Sequence, residues 1–312
     1  NLCFHKQLMS YTLIQEKIDQ GKIILLDGGI GAELEKKGAK MDKNLWCGKC
    51  SVDSPEFLKE VHENYIDAGA DVITTNTYAA TPISLRKHGY EESIELFNKQ
   101  AVQIAKNAIE NTNKQIALAG SVSSFGSFYN LGIKAMIPGF REQMKILYNE
   151  GVDLIILEGM TSQAEILETM IECSLEINLP IWLSISCVIN LETNEINLGY
   201  NDGVDKYAEI YERLDESLDR FSKLHKGPIL IAHSDFEATT KAIDIAVQNF
   251  NGIVGVYPNK GYYEKPNWKF VDDMLPNEYL KQARMWINKG VKIIGGCCGI
   301  GVDEIKAISI LK

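Results

Sequence analysis

The stretch Ala68-Gly69-Ala70-Asp71-Val72-Ile73-Thr74-Thr75 joins the end of a predicted helix to a short apolar run. The glycine stands where a left-handed residue commonly ends a helix. The junction recurs at Glu150-Gly151-Val152-Asp153 and at Lys289-Gly290-Val291-Lys292. In each case the apolar run that follows is too short for a helix and has no polar alternation, which is typical of strands buried on both faces of a parallel sheet.

Eight such runs occur along the chain, and stretches of helical periodicity separate them. The runs are Ile23–Leu26, Val72–Thr75, Ile116–Ala119, Leu154–Leu157, Ile181–Ile185, Ile229–Ala232, Ile253–Val256 and Val291–Ile294. The clearest helical period extends from Val204 to Leu224. With no linker rich in Pro, Gly or Ser, this alternation predicts an α/β fold, a (β/α)8 TIM barrel forming one domain over residues 1–312 with its core at 23–311. A doubly wound open sheet is the alternative, but Asp27-Gly28-Gly29-Ile30-Gly31 lacks the glycine spacing of a dinucleotide-binding turn.

Composition narrows the classes of function. The length of 312 residues suits two average domains, but single barrels of about 250 residues or more are common. A net charge of -10 argues against nucleic acid as a partner. No apolar run is long enough to span a membrane, and residues 1–10 lack the apolar stretch of a signal peptide, so we expect a cytoplasmic protein. Seven cysteines, an odd number, favour free thiols, a metal site or catalysis over disulfides.

Polar residues follow the predicted strands at the end where barrel enzymes place their chemistry. They are Asp27, Thr74, Thr75, Asn76, Glu158, His233, Asn259, Cys297 and Cys298. Considered alone, Asp27 is equally consistent with a residue that caps the following helix. Glu158 is similarly consistent with a structural partner of a lysine side chain or of a backbone amide. A lone histidine such as His233 is more often structural than a ligand.

The most specific local feature is Gly295-Gly296-Cys297-Cys298-Gly299. The flanking glycines let the backbone turn so that both sulfurs can face one point. This pattern favours a zinc thiolate pair with His233 as the best-placed further ligand. Two buried free cysteines or a strained vicinal disulfide are the alternatives. Cys47-Gly48-Lys49-Cys50 has the spacing of a zinc knuckle, but no second ligand pair is evident nearby, so we expect a loop before a helix at Pro55.

These residues make the sequence resemble the homocysteine S-methyltransferase family from Ile23 to Leu311. The resemblance implies transfer of a methyl group from a sulfonium, ammonium or methyl-folate donor to homocysteine, giving methionine, with Zn²⁺ as cofactor and small molecules as partners. The segments that match are Leu26–Gly31, Leu45-Trp46, Val61-His62, Ala68–Ile73, Thr75–Tyr78, Leu157-Glu158, Ser186-Cys187, Tyr257–Asn259 and Gly295–Cys298.

The same resemblance implies the roles of individual residues. Cys297 and Cys298 correspond to zinc ligands, and the third ligand position is His233, because Ala232-His233 stands where the family has Asn-Cys. Asp27 and Glu158 correspond to the catalytic carboxylates that grip the amino group of homocysteine. Further substrate contacts are expected at Gly28, Thr74, Thr75, Asn76 and Asn259. Ala32 and Gly159 stand where the family usually has threonine, so two hydroxyl groups near the site are absent.

Replacing one thiolate ligand by a neutral imidazole changes the expected chemistry. Two thiolates and His233 leave a zinc ion without net charge, whereas three thiolates leave it with one negative charge. We therefore expect a substrate thiolate that is held more tightly and is a weaker nucleophile. There are two alternatives to a methyltransferase that acts on homocysteine. The protein is a family member that uses another thiol or donor, or it is a homologue that binds a small molecule and holds little metal.

Overall fold

The computed structural model describes residues 2–126, 131–200, 211–271 and 274–312 and shows a ring of eight parallel strands. In chain order the strands are β1 (Ile24–Leu25), β2 (Val72–Thr74), β3 (Ala117–Ser123), β4 (Leu154–Gly159), β5 (Ile181–Ile189), β6 (Ile196–Leu198), β7 (Ile229–Ala232), β8 (Val254–Tyr257), β9 (Tyr262–Glu264), β10 (Asn267–Lys269) and β11 (Ile293–Ile294). The ring runs β1-β11-β8-β7-β5-β4-β3-β2, while β6 pairs antiparallel with β5 and β9 pairs with β10. Each ring strand coincides with one predicted run, so the TIM-barrel prediction is confirmed.

Helices surround the ring. They are α1 (Leu2–Asp19), α2 (Ile30–Lys36), α3 (Cys50–Asp53), α4 (Pro55–Ala68), α5 (Pro82–Lys87), α6 (Ile94–Glu110), α7 (Ile133–Glu150), α8 (Ala164–Ser174), α9 (Leu214–Leu224), α10 (Phe236–Asn249), α11 (Pro276–Asn288) and α12 (Val302–Ile308). The predicted junction glycines all adopt positive φ, with values of 112° at Gly69, 79° at Gly151 and 112° at Gly290. Within the described ranges, no helix is long and apolar enough to cross a membrane.

Two local predictions differ from the structure. Of the helix predicted from Val204 to Leu224, residues 204–210 lie outside the described residues, residues 211–213 are not helical, and α9 begins at Leu214. Just before α9, Arg213 forms an antiparallel bridge with Asn197, and this long-range pairing keeps the chain extended there. The segment predicted as a loop before Pro55 contains the short helix α3, which begins at Cys50.

Alternation along the ring strands divides the buried side chains between two clusters. One set packs outward against the helices, as Leu25 and Ile155 do. The other fills the interior of the ring and includes Ile24, Leu26, Val72, Ala117, Ala119, Leu154, Ile156, Trp182, Leu230, Ala232 and Ile293. Ile14 and Ile18 of α1 belong to this interior cluster. The first helix therefore packs onto the filled interior of the barrel.

The ring closes between β1 and β2 through very little backbone pairing. Leu26 and Val72 form an isolated parallel bridge. Beside it, the N–H of Asp27 donates to the carbonyl of Val72 at 3.1 Å, and the N–H of Asp71 donates to the carbonyl of Leu25 at 2.7 Å. We call this junction the seam of the barrel.

The carboxylate of Asp71 reinforces one end of the seam. It accepts the buried N–H of Leu25 at 2.9 Å. Its other oxygen pairs with Lys17 of α1 at 2.6 Å and with Lys312 at 3.0 Å. One side chain therefore connects β1, the start of β2, the helix α1 and Lys312.

Replacing Asp71 by Ala is expected to lower the free energy of unfolding by about 2–3 kcal/mol, because a buried N–H loses its charged acceptor. Asp67→Ala is the control, since that side chain is 79% exposed and its ion-pair partner among the described residues is Lys114 at 3.2 Å; its effect should stay below about 0.5 kcal/mol. Urea unfolding of both variants measures the difference. Equal losses in the two proteins would mean that Asp71 does not reinforce the seam.

Candidate active site

The barrel brings four of the predicted site residues into direct contact at the carboxyl end of its strands. The Sγ atom of Cys297 lies 3.1 Å from Nδ1 of His233, and Nε2 of the same ring lies 2.8 Å from Oε2 of Glu158. The Cys298 sulfur lies 3.9 Å from that of Cys297. A continuous line of contacts therefore runs from the cysteine pair through an imidazole to a carboxylate.

Glu158, near the end of β4, is the hub of this cluster. One carboxylate oxygen accepts a short hydrogen bond from the Ser121 hydroxyl. The other accepts one from the Tyr257 hydroxyl at 3.2 Å and also faces His233. Ser121 and Tyr257 were not among the predicted site residues, although their positions near the ends of the third and seventh ring strands were a signal that could have found them.

The Cys297 thiol and the His233 imidazole favour each other's charged forms. The hydrogen bond with Cys298, helped by the charge of His233, outweighs burial and lowers the pKa of Cys297 to about 5. Burial acts to lower the pKa of His233, but Cys297 and Glu158 outweigh it and raise that pKa to about 10. The hydrogen bond with Cys297, together with burial, raises the pKa of Cys298 well above its usual range. Without a bound ion these shifts favour a Cys297 thiolate, a His233 imidazolium and a neutral Cys298 thiol, and an ion bound at Nδ1 would displace the proton of that nitrogen.

His233 has a left-handed backbone, with φ of 52°. Such a conformation costs free energy in a residue with a side chain and persists only where neighbouring contacts hold it. The N–H of His233 donates to the carbonyl of Tyr257 at 3.3 Å, and Nδ2 of Asn259 donates to the carbonyl of His233 at 3.1 Å. Asn259, predicted as a substrate contact, therefore also supports the backbone of the central histidine.

A cavity of about 90 Å³ lies beside this histidine. Its wall includes His233, Asn259, Cys187, Ser234, Tyr263 and Trp268. The Oδ1 atom of Asn259 is buried and has no hydrogen-bond partner among the described residues. A small molecule with an N–H or O–H group could satisfy this acceptor.

Asp27 and Thr74 meet at the other end of the seam. The N–H of Thr74 donates to Oδ2 of Asp27 at 2.7 Å, and its hydroxyl donates to the same oxygen at 3.0 Å. Burial outweighs these bonds and raises the pKa of Asp27 to about 7, with Glu158 adding to the rise. A buried carboxyl of this kind gains from pairing with a cation, because the cation stabilises its ionised form.

The loop after β2 is held by its own side chains. The hydroxyl groups of Thr75 and Thr77 lie 2.7 Å apart. Nδ2 of Asn76 donates to the carbonyl of Cys47 at 2.9 Å. The predicted substrate contacts Thr75 and Asn76 therefore also shape this edge of the site.

Two glycines let the loop after β1 pack against the cysteine segment. A Cβ atom at Gly28 would lie 2.5 Å from the carbonyl oxygen of Ile300, and one at Gly29 would lie 2.6 Å from that of Cys297. Real Cβ atoms do not approach other atoms so closely. No side chain fits at either position, so both glycines serve the packing of this loop, and the substrate contact at Gly28 stays a prediction.

The cysteines are free thiols in the part of the chain whose side chains are described: Cys47, Cys50, Cys173, Cys187, Cys297 and Cys298. The 3.9 Å between the adjacent sulfurs contradicts a vicinal disulfide, whose bond measures about 2.05 Å. Burial raises the pKa of Cys47 well above its usual range and that of Cys50 to about 12. Neither thiol of the Cys47–Cys50 pair is therefore ionised at neutral pH.

The spacing of the donor atoms matches a tetrahedral zinc site only in part. Zinc bonds of about 2.3 Å to sulfur and 2.0–2.1 Å to nitrogen give edges of about 3.8 Å between sulfurs and about 3.5 Å between sulfur and nitrogen. The observed 3.9 Å between sulfurs fits, whereas the 3.1 Å between Cys297 and His233 is that of a hydrogen bond. Among the described residues, no group of three or more His, Cys, Asp or Glu side chains is already arranged to hold a metal ion. The donor types fit zinc, and the ring must shift slightly for the distances to fit.

Comparisons with known proteins identify the family. The family described as homocysteine S-methyltransferase matches residues 24–311. The chain is 28% identical to homocysteine S-methyltransferase 3 of Zea mays, over 92% of this chain and 89% of that protein. It is 28% identical to homocysteine S-methyltransferase YbgG of Bacillus subtilis, over 95% and 96%. It is also 26% identical to a selenocysteine methyltransferase of Astragalus bisulcatus, over 96% of both chains.

A solved structure supports the fold. The metallated form of the homocysteine methyltransferase MmuM from Escherichia coli superposes with a TM-score of 0.76 at 24% identity, over 96% of this chain and 99% of that one. At this identity the likeness concerns the fold alone. It agrees with the barrel described above.

The pKa of Asp27 predicts a pH-dependent effect of Asp27→Asn on stability. Because the pKa is raised from 3.8 to about 7, the unfolded chain has already released this proton in the window where the folded wild type still keeps it, so stability falls as the pH rises through that window. The asparagine side chain does not ionise, so the variant does not lose stability in this way. Its amide oxygen can still accept hydrogen bonds from Thr74. We expect the variant to melt about 4 °C or more above wild type at pH 8 and without advantage at pH 4.

Asp215→Asn is the control of opposite sign. The hydrogen bond with Arg213 lowers the pKa of Asp215, so losing this carboxylate should slightly destabilise the protein at neutral pH. Thermal melts from pH 4 to pH 8 measure both variants. A constant difference between Asp27→Asn and wild type across this range would contradict a raised pKa at Asp27.

Proposed function

The chain belongs to the homocysteine S-methyltransferase family, and from this premise we propose that it transfers a methyl group to the thiol of homocysteine, giving methionine. The observation that carries the proposal is that His233 contacts Cys297, beside which Cys298 lies, on the same rim as Asp27. Homocysteine is an amino acid with a terminal thiol. The rim offers a place for the sulfur at the cysteine pair and a carboxylate for the ammonium group.

Asp27 is the proposed anchor of the substrate ammonium. The two hydrogen bonds from Thr74 hold its carboxylate in one orientation. Burial makes the isolated charge costly, so pairing with an ammonium group relieves that cost. The family resemblance gives Glu158 a share of this role and places the substrate carboxylate at the loop that contains Thr75 and Asn76.

The proposed zinc ligands are Cys297, Cys298 and Nδ1 of His233. Their support is the sulfur separation, the direct contact of the imidazole with Cys297, and the fact that two cysteines and one histidine form a known catalytic zinc set with an open position. When bound, zinc keeps the substrate sulfur as a thiolate at neutral pH, although a free thiol has a pKa of about 8.5. The site residues supply the substrate's position, and methyl transfer forms a carbon–sulfur bond while the donor's leaving group departs with its electron pair.

The same site would also determine which methyl donor and which acceptors the protein uses. A sulfonium, a quaternary ammonium and a methyl-folate each carry a methyl group that a thiolate can displace in line. The cavity beside His233, with the unsatisfied oxygen of Asn259, is the proposed donor side of the site. The similarity to a selenocysteine methyltransferase supports a second candidate, in which another thiol or a selenol is the acceptor.

A donor screen tests the proposed reaction. Protein loaded with zinc is incubated with homocysteine and, in turn, S-methylmethionine, S-adenosylmethionine, betaine or methyl-folate, and methionine is measured by mass spectrometry. We expect methionine with at least one donor, and a loss of at least about 100-fold in Cys297→Ser because a proposed ligand of the zinc ion that would bind the substrate sulfur is removed. Cys173→Ser is the matched control, since Cys173 is a buried thiol of α8 outside the site.

The same screen separates the alternatives. Methylation of selenocysteine or another thiol, without methionine, would favour the second candidate. Zinc-loaded protein that methylates none of these acceptors with any donor would contradict a methyltransferase function and favour a binding protein.

Metal content tests the ligand set. We expect about one zinc per chain in the wild type and a clear loss of zinc in His233→Ala, because one of the three protein ligands is removed. His233→Cys should retain zinc, and Cys173→Ala should match the wild type. The measurement is elemental analysis after dialysis against a weak chelator. Unchanged zinc in His233→Ala would exclude His233 as a ligand.

A further inference from the structure

We propose that Glu158 is a positioning residue, whose carboxylate holds the imidazole of His233 so that Nδ1 faces the cysteine pair. The inference rests on the proposed zinc site and adds to it a residue that orients a ligand. The carboxylate touches one ring nitrogen at 2.8 Å while the other lies 3.1 Å from the Cys297 sulfur. Both side chains are nearly buried, with exposed fractions of 5% for His233 and 9% for Glu158.

The contact selects one nitrogen of the ring for metal binding. An ionised carboxylate can only accept hydrogen bonds, so the nitrogen that faces it carries the proton. Here that nitrogen is Nε2, which leaves Nδ1 as the atom that can offer a lone pair to an ion. Metal-binding histidines commonly donate their other N–H to a carboxylate in this way, and the partner fixes both tautomer and orientation.

The surroundings of Glu158 make it a rigid support. The Ser121 hydroxyl donates to one oxygen and the Tyr257 hydroxyl to the other. The rings of Tyr257 and Tyr78 also lie against the imidazole, with centroids at 5.3 Å and 5.7 Å. Two hydrogen-bond donors thus hold the carboxylate, and two aromatic rings restrict rotation of the histidine.

The replacement of a cysteine by His233 explains why such a support is needed here. A thiolate has one donor atom and no tautomers, whereas an imidazole has two nitrogens and can turn either toward the metal. The three donors that face Glu158 also occupy much of its capacity to accept hydrogen bonds. Glu158 therefore has less capacity than Asp27 for the substrate ammonium, so the main tasks of the two carboxylates of the rim differ.

Zinc affinity provides the test. We expect Glu158→Gln to bind Zn²⁺ at least about tenfold more weakly than wild type, as for other residues that support a metal ligand. The measurement is competition with a chelating dye, using zinc alone. Asp27→Asn is the matched control, because it removes one carboxylate from the same rim without touching His233. Asp27→Asn should weaken zinc binding by less than about threefold, which is the effect expected from the loss of one nearby negative charge.

Two further measurements distinguish positioning from charge. In a His233→Cys background, Glu158→Gln should weaken zinc binding no more than Asp27→Asn does, since no imidazole remains to be oriented. In zinc-loaded protein labelled with ¹⁵N at histidine, long-range ¹H–¹⁵N spectra should show the proton of His233 on Nε2. The chain has five histidines, and the signal lost in His233→Cys identifies the one concerned.

The outcomes separate this inference from the proposed function. A wild type that binds zinc, with unchanged affinity in Glu158→Gln or with the proton on Nδ1, overturns the positioning role and leaves the methyltransferase proposal intact. A wild type that binds no zinc overturns both the ligand set and its support. If Glu158→Gln does not fold, Tyr257→Phe removes one hydroxyl from the carboxylate, and a loss of about threefold supports the inference while none overturns it.

Discussion

The closure of the ring between β1 and β2 is the constraint on which the site depends. Backbone pairing there is limited to the bridge of Leu26 with Val72 and its flanking bonds. A carboxylate stands at each end of this seam: Asp71 accepts the N–H of Leu25, and Asp27 accepts that of Thr74. Only a closed ring brings the carboxyl ends of all eight strands to one rim. Asp27 therefore combines a structural contact with a proposed binding role, and its raised pKa reflects the cost of burying a charge at that position.

The rim contains two buried carboxylates with different neighbours. Asp27 faces hydrogen-bond donors of the seam, whereas Glu158 faces Ser121, Tyr257 and His233. Different surroundings give identical chemical groups different tasks, which is a general property of active sites. In this chain the division follows from the histidine at the third proposed ligand position. An imidazole needs a partner that selects one of its nitrogens, and the carboxylate at the end of β4 is the group within reach.

Particular residues show how far local patterns predict this structure. The eight apolar runs, the left-handed glycines at 69, 151 and 290, and the start of α4 at Pro55 were all predicted, because burial on both faces and helix termination are encoded within a few residues. The predicted helix is absent at residues 211–213 because Arg213 pairs with Asn197, a contact with another part of the chain. Ser121 and Tyr257 were missed as site residues for a similar reason: their positions near strand ends place them on the rim, but only the fold shows that both hydroxyl groups point at Glu158.

The sequence of residues along the chain was thus enough to predict the barrel and the rim on which the polar residues lie. It also contains the adjacent cysteines on which the family resemblance rests. Each of these properties depends on spacing along the chain, and spacing can be read directly. The partners of Glu158, the left-handed backbone of His233 and the 3.1 Å contact between that histidine and Cys297 became visible only in the folded molecule. They depend on distances between the ends of strands that are far apart in the chain, and packing of the whole ring sets those distances.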